Sequence, residues 1–321
     1  MLGSISVLLL SSTAFHAVGA LPQASTSTNT TNAYLAIDSE VLGNDMPDPR
    51  FSVDTTFEPD FLPPIPTLMS VLVFMGEMAY TDFNARVPAR TWIAPGYPDI
   101  EISTIGPIKA KYLVFGVYAG IEYMIKYNRF HEVMFTMRWN KQMVGRIWMT
   151  LPGFAVPGLP ANGTFSGNST EQTDAFLTIP GNATSIDAEL PIQDSRNSTN
   201  FLGIGLKLEI DTIAPGRKLN RNFVFLACYE ALAKIAPSPQ SAQMADFVVS
   251  SSLGGISMHF IHWGPGIKNY RVIQVLSFIP KTMIVSPPGF REVNVSVFEE
   301  DIMVLEISIK KITPQGNTAI A

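Results

Sequence analysis

A chain of 321 residues, 46% of them hydrophobic and only 15% charged, has ample apolar surface for a sizeable core. Its charged share falls well below the ~25% usual for soluble domains, so polar surface has to come from another source, and attached sugars are the natural one. The net charge of −5 is unevenly placed: residues 21–60 hold seven acidic side chains against Arg50 alone, and the rest of the chain is nearly balanced. That balance lacks the broad cationic footprint of a nucleic-acid binder, so no nucleic-acid partner is expected.

Residues 1–20 read as a secretory signal, with an apolar stretch over 5–10 and small residues at Val18-Gly19-Ala20, where cleavage is expected. The acidic segment 21–60 lacks apolar periodicity and is expected to be a flexible, dispensable arm. Leu62-Pro63-Pro64-Ile65-Pro66 then punctuates the chain, and Thr67 is placed to cap a helix over 67–83. A strand over 99–105, a helix over 109–127 and a hairpin of 130–139 with 143–149 follow, the hairpin turning at Asn140-Lys141-Gln142.

Six Asn-x-Ser/Thr triplets occur, at Asn29, Asn162, Asn168, Asn182, Asn197 and Asn294. This acceptor pattern carries sugar only in the secretory pathway. Four of the six fall in a Gly/Ser/Thr/Pro-rich stretch, read here as a glycosylated loop over 151–199, where the chain is expected to stay on the surface. The apolar runs 68–75 and 112–121 are too short to cross a membrane and end near Glu77 and Glu122, so no transmembrane span is expected. Secretion into the extracellular space is the expectation.

Residues 100–126 align without gaps on 208–234, and nine of the 27 pairs are identical. Each copy reads as a strand, a Pro-containing turn and an apolar helix, followed in the second copy by strands over 247–250 and 256–263. Further strands are expected at 270–279 and 283–285, and a hairpin of 290–298 with 302–310. In that hairpin Val293, Val295 and Val297 alternate with Asn294 and Ser296, which puts the Asn294 acceptor on the face away from the core. The fold class is α+β: one domain over 61–312 built on a duplicated strand–helix–hairpin unit. Its halves are 61–150 and 200–312, its antiparallel or mixed sheet carries helices on one face, and a tail follows at 313–321. The helix followed by Asn128-Arg129-Phe130 and a hairpin ending Val144-Gly145-Arg146-Ile147 resembles uncharacterised secreted proteins of filamentous fungi over residues 68–149. That resemblance implies no activity and no functional residue.

Chemistry-bearing motifs are few. Cys228, the single cysteine, sits in an apolar helical run and reads as a buried inert thiol. Glu122 precedes Lys126 and Glu230 precedes Lys234 by four residues, the spacing of a solvated helix ion pair, whereas Glu77 has no such partner and is given no role. His259 and His262 are three apart on an expected strand and so point to opposite faces, unsuited to joint metal ligation; His131 reads as a surface histidine. Gly255-Ile256-Ser257-Met258-His259 lacks the closing glycine of a nucleophile elbow, and Gly203-Ile204-Gly205 lacks a third glycine and a following helix. No cofactor or metal site is expected, and the four tryptophans are assigned to packing before sugar binding.

The reading that remains is a non-catalytic extracellular interaction protein facing a cell-wall, host-surface or self component. The alternative is a polysaccharide hydrolase. Glu101 and Glu209 occupy matching positions in the two copies, and a pseudo-two-fold axis would bring them to the carboxylate spacing that glycoside hydrolysis uses.

Overall fold

The computed structural model describes residues 50–153, 205–213, 216–285 and 289–312 in full and residues 197–201 by their backbone. Among these, two larger antiparallel sheets enclose four helices, an α+β architecture. The first sheet runs in the order β1 (Phe51–Phe61), β6 (His131–Trp139), β7 (Gln142–Thr150), β4 (Tyr97–Ile105), β3 (Arg90–Ala94). The second runs β10 (Phe247–Ser250), β11 (Ile256–His262), β13 (Ile302–Lys311), β12 (Val293–Glu299), β9 (Leu206–Thr212), β8 (Asn197–Phe201). A small ladder joins β2 (Arg86–Val87) to β5 (Ile108–Lys109).

Between the sheets lie α1 (Pro64–Tyr80), α2 (Ala110–Lys126), α3 (Arg221–Ile235) and α4 (Asn269–Val285). Helices α1 and α2 touch strands of the first sheet and α3 touches β10 and β11 of the second, while α1 and α3 each pack on all the other helices. Every residue of α1 from Thr67 to Met75 is buried, as a helix must be when a sheet covers one side and helices the other. Helix α2 approaches β6 closely through Gly120, where an added Cβ would stand 2.4 Å from the Phe135 ring.

Local chemistry explains the edges of these elements. Pro64 opens α1 at a position that needs no amide hydrogen, and Thr67 lies inside the helix, donating its hydroxyl back to the Pro63 carbonyl at 2.8 Å; it is not the expected cap. Both tight hairpins turn on two residues of positive φ, Asn140-Lys141 and Glu300-Asp301, the twist that matches antiparallel strands. Val293, Val295 and Val297 are buried while Asn294 and Ser296 face away from the core, as the alternation predicts.

Three expectations are corrected. The segment expected to be a flexible arm over 21–60 contains most of β1, which pairs with β6 along its length. Phe51 and Val53 are buried there, and Phe51 stacks on Tyr112 at 5.3 Å. The expected strands at 270–279 and 283–285 are one helix, α4, whose buried Val272, Val275, Leu276, Ile279 and Met283 recur at helical spacing. Val272, Ile273, Val275 and Ile279 are β-branched, a composition that favours strand, and Pro280 stands inside the element, yet the apolar period decides the outcome.

The third correction concerns the repeat. Taking β1, β3, β4, β6 and β7 as equivalent to β9, β10, β11, β12 and β13 gives both sheets the same strand order and the same connections, with α1 matching α3 and α2 matching α4. The alignment of 100–126 on 208–234 instead pairs β4–α2 with β9–α3, one strand–helix unit out of phase. The counterpart of β4–α2 in chain path is β11–α4.

Candidate functional site

A groove of about 750 Å³ opens at the start of α3, where that helix meets the end of α4, the beginning of α1 and the residues leading into β12. Its described lining includes apolar Ile65, Leu219, Met283, Ile284 and Phe290, cationic Lys218, Arg221 and Arg291, and polar Asn220 and Asn222. No carboxylate stands among the described lining residues.

Backbone pairing builds the groove. The Leu219 amide donates to the Phe290 carbonyl at 3.0 Å, and Lys218 and Arg291 face each other as an isolated antiparallel bridge. Leu219 is thereby held inward beside Phe290, whose ring lies 6.4 Å from that of Phe225 on α3. Arg291 is fixed by donation to the Gly216 carbonyl at 2.9 Å. Neighbouring Arg217 is taken up by Glu292, which accepts from its Nε at 2.9 Å and its backbone amide at 3.2 Å, and these bonds hold the Glu292 carboxyl down at about 2. Lys218 and Arg221 are exposed and make no ion pair among the described residues.

The helix end itself contributes little. Asn220 caps α3 by accepting from the Asn222 amide at 2.9 Å, and the Phe223 and Val224 amides are bonded to the Asn220 carbonyl. Recognition in the groove therefore falls to the three cationic side chains, the apolar residues and Asn222, whose Oδ1 is buried without a hydrogen-bond partner among the described residues. The sequence held one sign of this, the basic run Arg217-Lys218 with Arg221 just ahead of a helix. Averaging charge over the whole body hid it, and Arg291 joins only through the fold.

Glu101 and Glu209 are not brought together. Glu101 alternates with buried Ile100 and Ile102 on the outward side of the first sheet, and Glu209 alternates with buried Leu208 on the outward side of the second. The helices, each about 10 Å across, lie between them. Glu101 accepts from the Gly153 amide at 3.4 Å, and Glu209 pairs with Lys207 at 2.9 Å. Glu101 instead shares a cross-strand row with Thr150, next to Glu132, whose Oε1 accepts from the Leu151 amide at 2.7 Å.

The helix glutamates are also placed differently from expectation. Glu122 and Glu230 are buried, not solvated partners of Lys126 and Lys234; Lys234 donates instead to the Val248 carbonyl. Glu230 Oε1 accepts from the Tyr118 hydroxyl at 2.7 Å and the Ser252 amide at 2.5 Å, and Ser252 Oγ bonds Glu122 at 2.6 Å. Burial, reinforced by the Glu122 charge, pushes the Glu230 carboxyl up to about 7, and burial raises Glu122 as well. Glu230 is fully enclosed, so no substrate reaches it, and the cluster serves to join α2 to α3 and the β10–β11 turn. Glu77 is partnered after all, accepting from the Arg90 guanidinium and from Trp92 Nε1 at 2.6 Å.

Cys228 is fully buried in α3 and burial raises its thiol far above the ordinary range, leaving it inert. His259 and His262 alternate along β11; His262 Nδ1 pairs with Asp246 at 2.6 Å, and His131 Nδ1 lies 3.0 Å from the Pro59 carbonyl. Among the described residues no helix is long and apolar enough to cross a membrane. Of the acceptor asparagines, Asn29, Asn162, Asn168 and Asn182 lie outside the described residues, as do segments 1–20 and 313–321, and Asn197 opens β8. Comparison with protein families, with curated proteins and with solved structures finds no match to this chain.

Proposed function

We propose that this chain is a secreted, N-glycosylated protein that binds an extracellular component in the groove at the start of α3 and performs no chemistry on it. One observation carries the reading: among the described residues the lining combines three cations with five apolar side chains, Asn220 and Asn222, and no His, Cys, Asp, Glu or Tyr. A site equipped this way attracts and holds a ligand, but has nothing that exchanges protons near neutrality. Secretion is supported by the signal-like residues 1–20 and the clustered acceptor triplets, and Asn294 stands on the sheet face away from the buried valines of its strand. The partner, on this reading, is a cell-wall, host-surface or self component.

The test is binding of the purified glycoprotein to a panel of wall polysaccharides, membranes and amphipathic small molecules, beside a hydrolase panel. Binding that weakens in the K218E/R221E variant is expected. Turnover of a hydrolase substrate with no binding to any member of the first panel would overturn the proposal.

A further inference from the structure

Resting on that reading, we infer that the groove takes a small amphipathic anion: one carboxylate or phosphate head on a single unbranched apolar chain. Two kinds of side chain divide the work. Lys218 and Arg221 are exposed and make no ion pair among the described residues, and Arg291, anchored to Gly216, adds a fixed guanidinium to the same lining. A planar guanidinium suits carboxylate and phosphate oxygens equally well, so both head groups fall within one ligand chemistry.

In the same lining Met283 is buried and Ile284 is 36% exposed at the end of α4, and Phe290 is half-buried. Three partly exposed apolar side chains, Ile65, Ile284 and Phe290, beside three cations reward a ligand that covers them while neutralising the charge. A free inorganic anion would leave these apolar side chains wet, and an uncharged lipid would leave the cations facing apolar groups. The volume, about 750 Å³, lies within the range of small-molecule sites. The wider charge balance sharpens the point: a chain of net charge −5 here gathers three positive groups and, among the described lining residues, no negative one.

Isothermal titration of the whole glycoprotein below micelle-forming concentrations tests this with laurate, dodecyl phosphate, dodecanol, inorganic phosphate and dodecyltrimethylammonium. Laurate and dodecyl phosphate are expected to bind at least tenfold more tightly than the other three, with affinity falling as salt rises. K218E/R221E should lose at least tenfold for both anions, and Ile284→Trp, which fills the hollow from an exposed position, should do the same with an unchanged near-UV spectrum. Equal binding of dodecanol, or binding unmoved by both variants, overturns the inference. Binding to anionic phospholipid vesicles but not to the monomeric anions assigns the charge to a membrane surface and overturns it too. Polysaccharide binding that persists while every anion fails would sink this ligand class and leave the proposed binding function standing.

Discussion

Tyr118 of α2 donates its hydroxyl to Glu230 of α3 across 2.7 Å, so a helix of the first half and a helix of the second meet on one buried carboxylate. Ser252 completes the junction by bonding both Glu230 and Glu122. Burial holds the Glu230 carboxyl near 7, above its ordinary 4.5, which means the folded protein binds a proton that the unfolded chain has released. Stability from this group is therefore full below about pH 4.5 and is lost as pH rises through about 7, amounting to about 3 kcal/mol. Glu122, raised by the same cause, acts in the same direction. Thermal unfolding should show a midpoint that falls between about pH 5 and 8, with a shallower fall in Glu230→Gln, which mimics the protonated acid. A variant that tracks the parent across this range would remove Glu230 as the source. Glu292, held at about 2 by Arg217 and two amides, works in a separate window and loses its contribution only as pH drops below about 4.5.

The contact of α2 with β6 gives a second prediction. A methyl group at Gly120 would sit 2.4 Å from the Phe135 ring, and Phe135 is fully enclosed with nowhere to move. Overpacking of this kind costs about 1–3 kcal/mol, more than the helix propensity gained by replacing glycine. Denaturant unfolding of Gly120→Ala should show a lower midpoint. An unchanged or raised midpoint would mean that the helix can back away from the sheet.

The position of β1 makes truncation informative. A chain starting at Leu62 loses the partner of β6, the stacked pair of Phe51 with Tyr112, and the ion pair of Asp54 with Arg138 at 2.5 Å. Burial of Phe51 and Val53 contributes about 2–3 kcal/mol apiece, and the bared β6 edge invites association with other chains. That protein should aggregate or melt far below the parent, whereas one starting at Asp48 should keep the parent's midpoint. A stable monomer beginning at Leu62 would show that the remaining four strands of the sheet suffice.

The elements that were legible in the sequence have a local signature. Helices α1 and α2 and the hairpins β6–β7 and β12–β13 came within a few residues, because their periods of 3.6 and 2 lie along the chain and their two-residue turns are polar. Strand β1 was not legible: its acids Asp54, Glu58 and Asp60 lie on or near the outward side, and charge was read as disorder. The repeat misled for a physical reason. Among the described residues a strand, a short connection and an apolar helix occur four times, as β1–α1, β4–α2, β9–α3 and β11–α4, and every one of these helices packs on other helices, α1, α2 and α3 on strands as well. Similar burial selects similar residues, so Glu122 and Glu230 aligned although they belong to units that are not equivalent in the chain path. The groove was the least visible of all, since Ile65, Arg221, Met283 and Arg291 are joined only by tertiary packing.

Glycosylation supplies the last prediction. Asn294 lies on β12 between buried Val293 and Val295, on the side of the strand away from the helices. Its Oδ1 accepts from Ser308 Oγ at 2.6 Å, which leaves Nδ2, the atom that carries the sugar, as the other end of the amide. A glycan there is compatible with the pairing of β12 to β9 and β13, because ladder bonds use the backbone alone. In material secreted from a eukaryotic host, endoglycosidase treatment should lower the apparent mass by several glycans, and Asn294→Gln should lower it by one before treatment. Ser296→Ala removes the acceptor triplet while keeping Asn294 and its bond to Ser308, so it should show the same single step with a smaller change in stability, about 1 kcal/mol or less. If neither variant changes the mass, Asn294 is not occupied; if the secreted material shows no shift with endoglycosidase at all, the proposal of an N-glycosylated protein fails.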